Sequence, residues 1–178
     1  MQWIMALLAG VGCGALGFAV SGVAARRLRA LRAGAQAVQW IRLGICVSGE
    51  VLSRVLIELP ASESAEGQAW AALYGGAGKK LAEEPAASLS EIWSEVFECT
   101  ARAHPALYAL QEDDLRLLEP VRQGLGRTPR DEQQTLLDEV YKELQAQHER
   151  LRPKLADTQK IAQTLGVLGG VALFLLLI

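Results

Sequence analysis

Two uncharged and predominantly apolar stretches, Trp3 to Ala25 and Ile161 to Ile178, bracket a middle in which apolar residues recur at helical spacing. The first stretch is expected to continue directly into a helix with Leu28, Leu31, Ala35, Val38 and Ile41 on one face. Gly44 and Ser48-Gly49 interrupt it. A second helix, Glu50 to Glu58, turns Val51, Leu52, Val55 and Leu56 inward and stops before Pro60. Residues 66–82 form a third around Ala69, Trp70 and Leu73, ended by Pro85. Ser88 or Ser90 caps a fourth that buries Ile92, Trp93, Val96 and Phe97. Leu115, Leu117, Leu118 and Val121 mark a fifth, closed by Gly124 and Gly126. The last helix has the clearest start. Thr128 is its expected cap, Pro129 suits the first helical position, and Asp131 and Glu132 sit where the macrodipole favours acids. Leu136, Leu137, Val140, Tyr141, Leu144, His148 and Leu151 make its stripe, and Pro153 is expected to kink it. No strand-like alternation accompanies these patterns. The predicted fold class is all-α, with six helices in an antiparallel bundle because their connections are short.

The apolar ends extend this picture. Crossing a bilayer takes about 20 apolar residues in a helix, and both ends come near that length. An average of 51% hydrophobic and 21% charged residues hides the segregation. All 18 basic and 20 acidic side chains lie between Arg26 and Lys160. The organisation expected is therefore a transmembrane helix at 1–25, a helical bundle at 26–160 and a second transmembrane helix at 161–178. Arg26, Arg27, Arg29 and Arg32 follow the first span, and Arg150, Arg152, Lys154 and Lys160 precede the second. By the positive-inside rule both flanks place the bundle in the cytoplasm and both chain ends outside. A cleaved secretory signal carries its positive charge before the apolar run; here the arginines follow it, which favours an uncleaved anchor. Gly10 and Gly14, like Gly166 and Gly170, are spaced for close helix approach, to each other's span or to a partner's. Glycine is also simply common in membrane helices. Neither span carries a charge, which argues against their lining a passage. The arginine cluster is a topology signal and is placed to meet anionic membrane lipid. A net charge of −2 is too balanced to suggest nucleic acid.

The middle offers no catalytic pattern. Cys13, Cys46 and Cys99 have neither metal-ligand nor redox spacing, and their apolar neighbours suggest buried thiols. His104 and His148 stand far apart, and nothing nearby marks a nucleophile. Gly75-Gly76-Ala77-Gly78-Lys79-Lys80 lacks the glycine spacing and the Ser or Thr of a phosphate loop, and is expected to be a helix terminus or turn. Glu112-Asp113-Asp114 reads as a helix N-terminus attracting acids, since three consecutive carboxylates cannot share one helix face. Trp40, Trp70 and Trp93 are expected in the core. No catalytic, cofactor-binding or metal-binding residue is assigned, no cofactor is expected, and the chain is not read as an enzyme.

Leu125-Gly126-Arg127-Thr128-Pro129-Arg130-Asp131-Glu132-Gln133 resembles a Leu-Gly-(Arg/Lys)-(Ser/Thr)-x-x-x-x-Gln signature. Leu165-Gly166-Val167-Leu168-Gly169-Gly170 follows it after the long helix. Arg26 to Leu31, the Ile92-Trp93 pair and Asp114-Leu115 fit the same pattern. Together they resemble the stage III sporulation protein AB family, although the family's Glu-rich segment and proline turn are missing between Gln39 and Glu50. The resemblance implies a bundle similar to the six-helix cytosolic domain of the platform protein of type II secretion and type IV pilus machines. It further implies a non-enzymatic scaffold in the mother-cell membrane around the forespore. Such a scaffold would couple a secretion-type ATPase, stage III sporulation protein AA, to the other subunits of a secretion-like sporulation channel. The alternative is a membrane-anchored adaptor that recruits a soluble regulatory protein through the same bundle. On either reading, exposed charges on the bundle are the expected docking groups.

Overall fold

The structure is a computed structural model that describes the backbone of residues 2–177 and the side-chain surroundings of residues 22–157, with 160, 161, 164, 168 and 172 beyond them. Helix α1 runs from Gln2 to Arg42 and passes into a π-turn at Leu43–Val47. Short α2 (Leu52–Ile57) leads to α3 (Ala65–Glu83) and α4 (Leu89–Ala103). A 3-10 turn at Pro105–Ala109 precedes the short helices α5 (Glu112–Arg116) and α6 (Glu119–Gly124), and α7 runs from Arg130 to Leu177. Among the described residues there is no strand, as the periodicity predicts.

The chain divides into two compact units, Arg29–His148 and a unit of Met1–Leu28 with Glu149–Ile178. Among the described residues no helix is long and apolar enough to cross a membrane. The expected spans at 1–25 and 161–178 lie for the most part outside the residues whose side chains are described. So do the glycine pairs within them and Cys13.

The core of the 29–148 unit follows the predicted stripes. Leu31, Val38 and Ile41 of α1 are buried, with Leu56 of α2, Trp70, Leu73 and Tyr74 of α3, and Leu137, Val140 and Leu144 of α7. Trp70 anchors α3 to α1, because its indole Nε1–H donates to the Ala30 carbonyl at 2.9 Å. Its ring stacks on Tyr74 at 5.8 Å, and Tyr74 meets Trp93 of α4 edge-on at 5.7 Å. Such offset and edge-on pairs suit the ring quadrupole. Arg29 Nε donates to Glu66 Oε1 at 3.0 Å, so the buried Glu66 carboxylate has a charged partner.

Several expectations need correction. Residues 75–80 lie inside α3 rather than at a terminus. A Cβ on Gly78 would stand 2.7 Å from the Ser53 carbonyl oxygen of α2, so this glycine is a point of close backbone approach. The predicted fifth helix is two helices. Pro120 sits in the first turn of α6, where its missing N–H costs nothing, and the chain restarts there. Counting α5 and α6 as that one divided segment, the six predicted helices are all present. Trp40, expected in the core, is 42% exposed, and Val51 stands as the exposed cap of α2 instead of facing inward. Pro153, where a kink is expected, lies inside α7.

Candidate interaction surface

The Leu125–Gln133 segment is a hydrogen-bonded junction between α6 and α7. Leu125 is buried, and Gly126 takes a positive φ of 82°, a conformation glycine adopts without steric cost. A Cβ there would also press to 2.9 Å from Leu52 Cδ2. Arg127 N–H donates to the Gly124 carbonyl at 3.1 Å. Thr128 does not cap α7 as expected; its hydroxyl donates back to the Gly124 carbonyl at 3.3 Å. Gln133 closes the junction, with its side-chain amide donating to the Thr128 carbonyl at 2.6 Å and its backbone N–H to the Pro129 carbonyl at 2.9 Å. Asp114 plays a matching part on α5. It is almost fully buried, its Oδ2 accepts from Gln111 N–H at 2.9 Å, and its Oδ1 accepts from Gln147 of α7 at 3.3 Å. The signature residues therefore hold the start and the middle of α7 in register with the helices before it.

One face of this junction is open. A groove of about 580 Å³ runs between the turn and two other segments. Val51, Leu52 and Ser53 line one side, Leu81, Pro85 and Ala86 another, and Leu125, Gly126 and Arg127 the third. Arg127 is the charged group on this lining, and its guanidinium helps to hold the Glu91 carboxyl below its ordinary pKa. The larger causes of that shift are the Ser88 backbone N–H and hydroxyl, which both donate to Glu91 in the capping box of α4. Beyond the groove rim, Trp40, Leu43 and Val47 expose apolar surface along the end of α1 and the π-turn.

The residues weighed for chemistry do not converge. Cys99 is exposed and Cys46 is half-buried in the π-turn, so the expectation of buried thiols is corrected for both. Burial pushes the Cys46 thiol pKa up, against the pull of Arg42 and Arg130. His104 ends α4 and His148 lies on α7. Among the described residues no group of His, Cys, Asp or Glu could hold a metal ion. Glu112, Asp113 and Asp114 occupy the first turn of α5, as predicted. The groove itself escaped sequence reading, because its walls come from three separate segments between Val51 and Arg127.

The sequence matches the family described as stage III sporulation protein AB over residues 2–178. The chain belongs to the stage III sporulation protein AB family. No curated protein and no solved structure matches it significantly. Membership ties the chain to the stage III sporulation proteins. It also gives the Leu125–Gln133 junction its context, since the motif that carried the family resemblance is the part of the fold that registers α7.

Proposed function

We propose that this family member is a non-enzymatic platform subunit of a secretion-like sporulation channel. In this reading it is held in the mother-cell membrane by apolar segments at both ends, with residues 26–160 in the cytoplasm. It couples a secretion-type ATPase, stage III sporulation protein AA, to the membrane subunits. The observation that carries the reading is the family match over residues 2–178. An all-helical unit whose motif residues serve packing and registry is consistent with a part that transmits force or position.

Co-purification from membranes tests the coupling. The expected outcome is that the ATPase is retained with the tagged full chain during engulfment. Its absence counts against the coupling, and a soluble regulator retained in its place selects the adaptor reading. Reporter fusions test the topology. A reporter after Ile178 and one in the exposed loop at 60–63 should report opposite sides of the membrane.

A further inference from the structure

Trp40 is a wall shared by two neighbouring cavities of the 29–148 unit. The first holds about 290 Å³. Ala37 of α1, Leu59 and Pro60 beyond α2, and Trp70 of α3 line it, with Gln36 and Ser62 as uncharged polar groups. The Trp70 Nε1–H is already engaged by the Ala30 carbonyl, so its ring serves the cavity as an apolar surface. The second cavity, of about 330 Å³, lies between the end of α1 at Leu43 and Gly44 and Val55 of α2. Glu50 and Glu58 are the charged side chains on its lining. Arg54 Nε donates to Glu58 at 2.9 Å and stands 3.9 Å from Glu50, so one guanidinium between two carboxylates leaves a negative charge in excess. All three side chains are exposed, where such ion pairs are weak and readily exchanged.

We infer that this two-part cleft docks a protein segment that seats a bulky apolar side chain beside Ala37 and lays an arginine against Trp40 and the two carboxylates. The exposed indole attracts a cation through its ring quadrupole. A planar guanidinium can stack on that ring and still hydrogen-bond a carboxylate, which an ammonium does less well. The wider field has the same sign, since the 29–148 unit holds 12 basic and 18 acidic side chains. The spacing is also set. Ala37 in the first cavity and Gly44 in the second are seven residues apart, about 10 Å along α1 at 1.5 Å per residue. A partner helix with its two anchors seven positions apart matches that separation. The cleft shares no lining residue with the groove at Arg127, which carries the opposite charge. The inference therefore stands whether or not the chain couples an ATPase.

A phage-displayed library of random dodecapeptides, panned against the full chain in non-ionic detergent, tests the cleft. Enriched sequences should pair a bulky apolar residue with an arginine about seven positions away. A synthetic peptide of such a sequence should bind the Trp40→Ala chain about thirtyfold more weakly, the loss expected of a tryptophan anchor. Glu50→Gln with Glu58→Gln should weaken it several-fold and flatten its salt dependence. Glu139→Gln with Glu143→Gln, at exposed carboxylates of α7, should leave binding unchanged. Enriched peptides without arginine, or with full affinity for the Glu50→Gln/Glu58→Gln chain, overturn the arginine contact. Full affinity for the Trp40→Ala chain overturns the site. No enrichment, with the wild-type chain sedimenting as a dimer and Trp40→Ala as a monomer, overturns it in favour of a second copy of this chain. No enrichment on a monomer overturns it outright.

Discussion

At the residue scale, two side chains show how burial and hydrogen bonding oppose each other in this core. The Tyr74 ring stacks on Trp70 and meets Trp93 edge-on, yet its buried hydroxyl has no hydrogen-bond partner among the described residues. Burial pushes its pKa well above the usual tyrosine value, so the phenol stays neutral. An unsatisfied buried polar group costs about 1–3 kcal/mol. Tyr74→Phe keeps both ring contacts and should stabilise the fold by about 1 kcal/mol, read as a higher midpoint in thermal melting. Glu91 is the converse case. Its pKa is lowered by the Ser88 donors, so its contribution to stability is fully present above the ordinary carboxyl pKa of 4.5. That contribution is lost as pH falls from there through the lower folded value. Ser88→Ala should cost about 1 kcal/mol at neutral pH through the lost cap. It should also make stability less steep across the acid range, measured by melting from about pH 6 to about pH 3.

At the element scale, glycine position along α3 decides how closely α2 can pack. Gly75 and Gly78 both lie within the helix, where alanine is the better helix former by about 0.8–1 kcal/mol. A Cβ on Gly75 would have only the Leu56 carbonyl nearby, at 3.9 Å, so Gly75→Ala should stabilise. A Cβ on Gly78 would meet the Ser53 carbonyl oxygen at 2.7 Å and Leu56 Cβ at 2.9 Å. Gly78→Ala should therefore destabilise by about 1–3 kcal/mol, as overpacking does. Melting of the two variants should move in opposite directions, although the residues are three apart on one helix. The glycine run was visible in the sequence. Its meaning was not, because a glycine that breaks a helix and one that lets another helix in look alike until the neighbour is placed. Pro120 shows the reverse: its effect is local, and the division between α5 and α6 follows from its ring and missing N–H.

At the scale of the whole molecule, the groove beside the signature turn is the surface most suited to a docking test. Arg127 is the charged side chain on its lining, so charge reversal there should disturb binding without touching the core. Arg127→Glu should reduce ATPase co-purification several-fold while the melting temperature holds; retention at the wild-type level would move the docking site elsewhere. The sequence by itself determined the helical class, most stripe residues, a serine cap at Ser88 or Ser90 and the family resemblance, because helical period, caps and prolines act within a few residues of themselves. It also determined the charge segregation from which the apolar ends and the basic flanks were read. Only the tertiary structure decided that Trp40 and Val51 face outward, that Thr128 bonds backward, and that Asp114 reaches Gln147. It alone assembled the groove, and it alone gathered basic residues from both ends of the chain into one unit. The physical reason is the same in each case. Burial and charge proximity depend on which distant segments come together, and residue spacing along a single helix carries no record of that.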